Sequence, residues 1–317
     1  MLKLPDVWRL MREVDLEAIR VESERTFRVA IVAEDPADAE SAAALLTAVA
    51  GERHPWLLAG SELPAGALDV VILVTRSADL GPRLSMLAGA LARVPLVTFV
   101  VGASGPLAGV VRPGEAARAA AAGLDEAAVP AMAQALFSSV PAELRLAFAR
   151  QLPPLRSGFV SALVEETARA NALYALSTGV AEVVPVLNVP LNLADIVLLT
   201  KNQLVMSYRI ALASGKRGRP RELLGEVVGV IGGGFLLRQL ARELVGLIPV
   251  AGVAPKVAVA YAGTWAIGRA VGVWAGGGAK PSSASLKSYY AEAVGRGREV
   301  AAALSAKTGR LLGRGKK

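Results

Sequence analysis

The 317-residue chain contains no cysteine and one histidine, His54, which excludes disulfide bonds, cysteine-ligated metals and a thiolate nucleophile and disfavours a histidine metal centre. Hydrophobic residues make up 53% of the chain and aromatic residues only 5%. The net charge of +8 is unevenly spread: residues 1–150 hold 14 Lys and Arg against 18 Asp and Glu, and residues 151–317 hold 21 against 9. A basic, apolar second half favours anionic lipid over nucleic acid as a binding partner, because a lipid membrane attracts basic side chains and apolar side chains alike.

Residues 1–26 are predicted to form an N-terminal amphipathic helix. Val7, Leu10, Met11 and Val14 recur at helical spacing among acidic residues. The segment has no uninterrupted apolar core and is not predicted to be a signal peptide. The domain that follows is therefore expected in the cytoplasm.

Residues 27–140 are predicted to form an α/β domain. Apolar runs at residues 27–33, 69–75 and 95–102 predict buried strands, and residues 37–50 and 80–92 predict helices between them. Strands that are apolar throughout and alternate with helices indicate a parallel sheet covered on both faces. Residues 116–122 and 126–137 are predicted to be further helices.

The turn after the first strand is where a P-loop belongs, with its G-x-x-x-x-G-K-[ST] pattern. Residues 34–41 read EDPADAES, so Glu34 and Ala39 replace the glycines, Glu40 replaces the lysine, and only Ser41 fits. With Asp35 and Asp38, four carboxylates crowd a position meant for a polyphosphate. Residues 102–105 read GASG where a guanine-specific Asn-Lys-x-Asp would stand. We interpret the domain as a degenerate P-loop GTPase-like sheet.

Two alternatives stay open for this turn. The sheet can be one that never bound nucleotide, or the carboxylates can hold a hard cation. Acidic residues at a helix N-terminus are explained more simply by the helix dipole. No catalytic residue, metal or cofactor is therefore predicted.

From residue 141 the sequence predicts helices only. Residues 143–151 and 157–177 are followed by a break with two prolines at 183–192, a helix at 194–215 and a basic loop at 216–221. Residues 141–278 form the predicted helical domain, and residues 279–317 a basic C-terminal helix and tail. Asp195 and Asn202 share one face of the 194–215 helix. Because they interrupt an apolar stretch, their polar side chains are expected to need hydrogen-bond partners.

Two ladders of small residues at four-residue spacing mark residues 222–276. The first is Gly225, Gly229 and Gly233; the second is Ala260, Thr264, Gly268, Gly272 and Gly276. Each ladder lies on one helix face, and small residues there let two helix backbones approach closely, as in lipid. With a turn at residues 247–255, the ladders predict a closely packed helical hairpin.

Membrane association is predicted for this half, although charged residues interrupt the hairpin before any run reaches the length of a spanning helix. A buried soluble hairpin is the alternative. Eight basic residues are expected at the lipid surface, four in the loop and four in the final helix at residues 286–312. They are Lys216, Arg217, Arg219, Arg221, Arg296, Arg298, Lys307 and Arg310.

Residues 183–215 (VVPVLNVPLNLADIVLLTKNQLVMSYRIALASG) and 232–270 (GGGFLLRQLARELVGLIPVAGVAPKVAVAYAGTWAIGRA) carry a family resemblance. Over residues 140–278 the chain resembles the helical family catalogued as domain of unknown function 697. That family follows Era-like GTPase domains in bacteria and includes YcjF-like inner-membrane proteins. The resemblance implies membrane association but no reaction.

The expected function is a non-catalytic, membrane-associated pseudo-GTPase or adaptor on the cytoplasmic side of the cell membrane. Whether its helical half is integral or peripheral stays open. The expected partners are anionic lipid and, through the α/β domain, a GTPase or another protein. The sequence is compatible with an oligomer of this chain. Binding to nucleic acid is not expected. The alternative is a soluble regulatory partner of an active GTPase.

Overall fold

The computed structural model describes residues 8–9, 11–47, 54–77, 87, 94–102, 111, 113–182, 193–231 and 253–314, with side chains omitted at 179–182, 193–196, 253, 305 and 307–314. The chain divides into two compact units. The α/β unit comprises Ala18–Ala162 and Ala213–Gly215, and the helical unit comprises Met1–Glu17, Leu163–Leu212 and Lys216–Lys317. The division after Ala162 lies inside a helix, beyond the boundary at residue 140 that the change in composition predicts.

A five-stranded parallel sheet forms the centre of the α/β unit in the described residues. Its elements, in chain order, are α1 (Leu16–Ser23), β1 (Val29–Ala33), α2 (Pro36–Thr47), β2 (Leu57–Gly60), β3 (Val70–Thr75), β4 (Leu96–Val101), β5 (Ala117–Ala121), α3 (Val129–Ser139) and α4 (Ala142–Gln151). Short 3₁₀ turns at Glu126–Ala128 and Pro153–Leu155 precede α3 and follow α4.

The strands lie in the order β2-β1-β3-β4-β5, and each pairs parallel with its neighbours. β1, β3 and β4 are buried along their whole length, which explains their unbroken apolar sequences. The α/β prediction is confirmed. In this doubly wound order, the crevice that receives ligands lies at the carboxyl ends of β1 and β3.

Where the sequence predicts a helix at residues 116–122, the structure has the strand β5, Ala117–Ala121. Val97 pairs with Ala117 and Val101 with Ala121 along the edge of β4. The helix preference of alanine is worth only about 0.5 kcal/mol per residue, so the ladder of hydrogen bonds on β4 decides the outcome. The four-residue strand β2 was not predicted at all. The helix predicted at residues 80–92 lies outside the described residues except for Leu87.

The helical unit contains most of the helices that the sequence predicts after residue 141. They are α5 (Arg156–Glu182), α6 (Leu193–Ala213), α7 (Pro220–Val230), α8 (Val253–Ala275) and α9 (Ser283–Arg314). α5 begins in the α/β unit and continues into the helical unit. The proline-rich break at 183–192 and residues 232–252, with most of the hairpin turn, lie outside the described residues.

α8 and α9 pack along each other with their backbones almost in contact. A Cβ atom added at Gly297 would lie 2.6 Å from the carbonyl oxygen of Ala258 and 3.1 Å from its Cα. Gly295, one half-turn earlier on α9, is exposed and would meet nothing within 4 Å. Glycine at position 297 is therefore required by the packing of α9, whereas glycine at position 295 is not.

Replacing Gly297 by alanine is expected to lower the free energy of unfolding by about 1–3 kcal/mol, because the backbones must separate. The matched change Gly295→Ala is expected to raise it by about 0.5–1 kcal/mol through helix propensity. Chemical denaturation followed by circular dichroism measures both variants. Equal stability of the two variants would contradict the close approach of α8 and α9.

Candidate functional site

Residues 34–41, interpreted from the sequence as a degenerate P-loop, lie at the carboxyl end of β1 and form an ordinary helix start. Asp35 accepts the Ala37 N–H with its Oδ1 atom at 2.9 Å, so it caps the N-terminus of α2. Ser41 donates its hydroxyl to the Ala37 carbonyl at 2.7 Å, within the helix. Glu34 and Glu40 are exposed and Ala39 is buried. The cap made by Asp35 is the arrangement that the helix-dipole interpretation expects for an acidic residue here.

An ion pair joins the residue after β3 to the first turn of α2, near the carboxyl ends of β1 and β3. Arg76, just after β3, donates from Nε and Nη2 to the two carboxylate oxygens of Asp38 at 2.8 and 2.7 Å. The hydrogen bond to Asp38 raises the pKa of Arg76 above its ordinary value. Within the described ranges, no group of three His, Cys, Asp or Glu side chains is placed to hold a metal ion. The positive charge that faces Asp38 is the guanidinium group of Arg76.

The small residues of the second ladder pack inside the helical unit, against α5 and α6. A Cβ atom at Gly268 would collide with the side chain of Val164 on α5, lying 3.1 Å from the Val164 Cβ. Ala260 and Thr264 are also buried. Gly272 is half-buried, and Gly276 is exposed in the turn after α8.

Gly229 of the first ladder does not face the second ladder, where the sequence predicts it. Gly229 on α7 is exposed, and a Cβ there would meet only the Nζ atom of Lys280, at 3.5 Å. Gly225 is half-buried, and Gly233 lies outside the described residues. Four-residue spacing identifies a shared face, but it does not identify the neighbour that the face contacts.

A buried polar layer joins three helices at the centre of the second ladder. The Thr264 hydroxyl on α8 accepts the amide N–H groups of Asn171 on α5 at 2.9 Å and Gln203 on α6 at 3.1 Å. It also donates to the Ala260 carbonyl at 2.8 Å. Asn202 donates to the Asn171 Oδ1 at 2.8 Å, which supplies the polar partner that its position requires. Asn171 was not singled out from the sequence, although a polar residue inside an apolar helix is a usable signal.

The change Thr264→Val is expected to lower the free energy of unfolding by about 2 kcal/mol or more, because two buried amides lose their acceptor. Thr264→Ser retains the hydroxyl and removes one methyl group, so about 1 kcal/mol is expected. Thermal and chemical denaturation distinguish the two. A valine variant as stable as the serine variant would show that the layer contributes nothing.

The basic loop at residues 216–221 carries two cations that lie over aromatic rings. The Nζ of Lys216 lies 4.7 Å from the centroid of the Trp274 ring, and the Cζ of Arg221 lies 5.4 Å from that of Trp8. Arg217 and Arg219 are exposed. Cation–π contacts hold the side chains of Lys216 and Arg221 in position. The exposed side chains of Arg217 and Arg219 are accessible to a partner.

A second basic and aromatic cluster lies on α8 and α9. The guanidinium groups of Arg296 and Arg269 lie 5.1 and 5.8 Å from the centroid of Trp265. Arg296 and Arg298 are exposed, whereas the side chains of Lys307 and Arg310 lie outside the described residues. Six of the eight predicted lipid-surface cations are therefore located, and five of them are exposed.

Hydrogen bonds between α5 and α8 border this cluster. The Tyr261 hydroxyl donates to Glu165 Oε2 at 2.6 Å, and Glu165 also accepts from Arg169. Burial, followed by the bond to Glu165, raises the pKa of Tyr261 above its ordinary value. Glu165 was not predicted, although its four-residue spacing to Arg169 is a signal for an ion pair.

Among the helices that the structure describes, none combines the length and apolarity that crossing a membrane requires. α8 has 23 residues and carries Lys256 and Arg269 within it.

Comparison with known proteins finds no matching family model, no matching curated protein and no matching solved structure.

Proposed function

We propose that this protein is a non-catalytic, membrane-associated adaptor that docks on the cytoplasmic face of the cell membrane through its helical unit. The observation that carries the proposal is the set of exposed arginines on that unit, with tryptophan rings close to several of them. Cations attract anionic headgroups. The rings of Trp265 and Trp274 are themselves buried, and they hold the neighbouring cations in position. The excess of basic residues in this half of the chain acts in the same direction.

Docking is proposed to be peripheral. α8 is buried against its neighbouring helices over most of its length, and its small residues contact protein rather than presenting a face to lipid. A helix packed in this way has no apolar stripe left for the bilayer. The resemblance to domain of unknown function 697 supports membrane association but does not distinguish integral from peripheral attachment. We infer peripheral attachment from the packing of α8.

The α/β unit is proposed to be a GTPase-like sheet that has lost nucleotide chemistry and binds a partner protein. Its strand order places residues 34–41 at the ligand crevice of the doubly wound fold. There, Asp35 caps α2 and Asp38 is bound to Arg76. A polyphosphate would meet carboxylates where a P-loop presents glycine N–H groups and a lysine.

A soluble regulatory partner of an active GTPase is the second candidate. The buried position of α8 favours it, since Ala260, Thr264 and Gly268 serve as an ordinary core in the helical unit. Absence of binding to any anionic membrane would select this candidate over the first.

The full-length protein is expected to float with phosphatidylglycerol vesicles at 50 mM salt and to dissociate near 1 M salt, where the Debye length is only about 3 Å. The double variant Arg217→Gln, Arg298→Gln is expected to bind roughly thirtyfold more weakly, at about 1 kcal/mol per basic residue. Arg25→Gln, at an exposed arginine of the α/β unit, is the matched control and is expected to bind as wild type. Salt-insensitive binding, or equal loss in the control, would count against electrostatic docking.

Titration calorimetry with GTP and Mg²⁺ tests the α/β unit separately. No heat of binding is expected up to about 1 mM nucleotide, because no phosphate cradle is formed at residues 34–41. Micromolar affinity for GTP would overturn the pseudo-GTPase assignment without affecting the membrane proposal.

A further inference from the structure

A pocket of about 850 Å³ lies in the helical unit, between the N-terminal segment and the start of α7. Four arginines line it: Arg9 and Arg12 from the N-terminal segment, and Arg219 and Arg221 from the basic loop. All four are exposed. The guanidinium of Arg221 lies over the Trp8 ring, so one cation of the pocket is held against an apolar wall.

Three carboxylates line the same pocket and oppose its positive charge. Glu222 accepts the main-chain N–H of Arg219 at 3.1 Å, so its carboxylate is engaged at the start of α7. Asp15 and Glu17 have interactions of their own. Glu13, next in sequence to Arg12, binds Lys201 at 2.9 Å and is not a lining residue. The pocket thus carries four guanidinium groups against three carboxylates.

The apolar part of the lining distinguishes this pocket from a site for a small free anion. Trp8, the buried Met11 and Pro220 lie beside the arginines. Guanidinium groups bind phosphate oxygens through paired, charge-assisted hydrogen bonds, and apolar side chains suit the glycerol and the first methylenes of a lipid. A terminal phosphate, with up to two negative charges, uses several guanidinium groups better than a phosphodiester with one.

We propose that this pocket is a specific site for the terminal phosphate of an anionic lipid headgroup, a phosphomonoester such as that of phosphatidic acid. The inference rests on the proposed membrane docking and adds headgroup selectivity to it. General electrostatic docking depends on all exposed cations, whereas selectivity depends on the arginines that line the pocket.

The test is vesicle flotation of the full-length protein with phosphatidylcholine vesicles that contain either phosphatidic acid or phosphatidylglycerol, matched in zeta potential. Wild type is expected to prefer phosphatidic acid. Arg12→Gln and Arg219→Gln are each expected to bind phosphatidic acid vesicles roughly tenfold more weakly and to lose the preference. Arg217→Gln is the matched control, an exposed arginine in the same loop outside the pocket. It is expected to bind about fivefold more weakly on both lipids and to keep the preference.

Equal binding of wild type to the two lipids, or loss of the preference in Arg217→Gln, would overturn the pocket site while membrane docking stands. Displacement from the vesicles by low-millimolar inorganic phosphate would assign the pocket to free phosphate and overturn the lipid site. Failure to bind any anionic vesicle would overturn the docking proposal itself. Circular dichroism melts that match wild type confirm that the variants, all changed at exposed positions, are folded.

Discussion

The close packing of α8 against the helices around it is the constraint on which the helical unit depends. At Gly268 no side chain fits, because Val164 of α5 occupies the space. Gly297 of α9 lies against the backbone of α8 at Ala258, so there is no room for a Cβ atom at position 297 either. Dense packing of this kind leaves few alternative arrangements, since a single added methylene must move a helix.

The polar layer around Thr264 follows from the same constraint. Helices this close bring Asn171 and Gln203 within hydrogen-bond distance of one hydroxyl, and the layer fixes their register as well as their separation. A buried polar layer favours one arrangement because every shifted register leaves its groups without partners. Arg269, Arg296 and Arg298 lie on the outside of the bundle, the first two beside the Trp265 ring, whereas Lys256 is buried. The surface that could meet a membrane is therefore a consequence of the core.

The sequence predicts the elements whose physical cause is local. The β1, β3 and β4 strands are buried runs of aliphatic residues, and no helix amphipathicity competes with that pattern. β5 is different, because the alanines of 117–121 favour a helix until β4 offers hydrogen bonds along its edge. Spacing also locates the face of small residues on α8. It gives no information on which helix fills that face, and at Gly268 the structure places Val164 of α5 there.

Two features of the candidate sites depend on residues distant in sequence and could not be predicted. Gly297 stands between Ala293 and Ala301 at four-residue spacing, but only the position of Ala258 shows which helix this face contacts. The arginine pocket combines the N-terminal segment with residues about 200 positions later. By contrast, Asp35 was interpreted through the helix dipole, and its hydrogen bond to the start of α2 agrees with that local interpretation.

Alkaline carbonate extraction of membranes from cells that produce the full-length protein tests peripheral docking most directly. With α8 packed inside the helical unit and cations outside it, the protein should sediment with membranes at low salt and pass wholly into the supernatant after the carbonate wash. Retention in the washed pellet until detergent is added would contradict peripheral attachment and show that helices of this unit lie in the lipid.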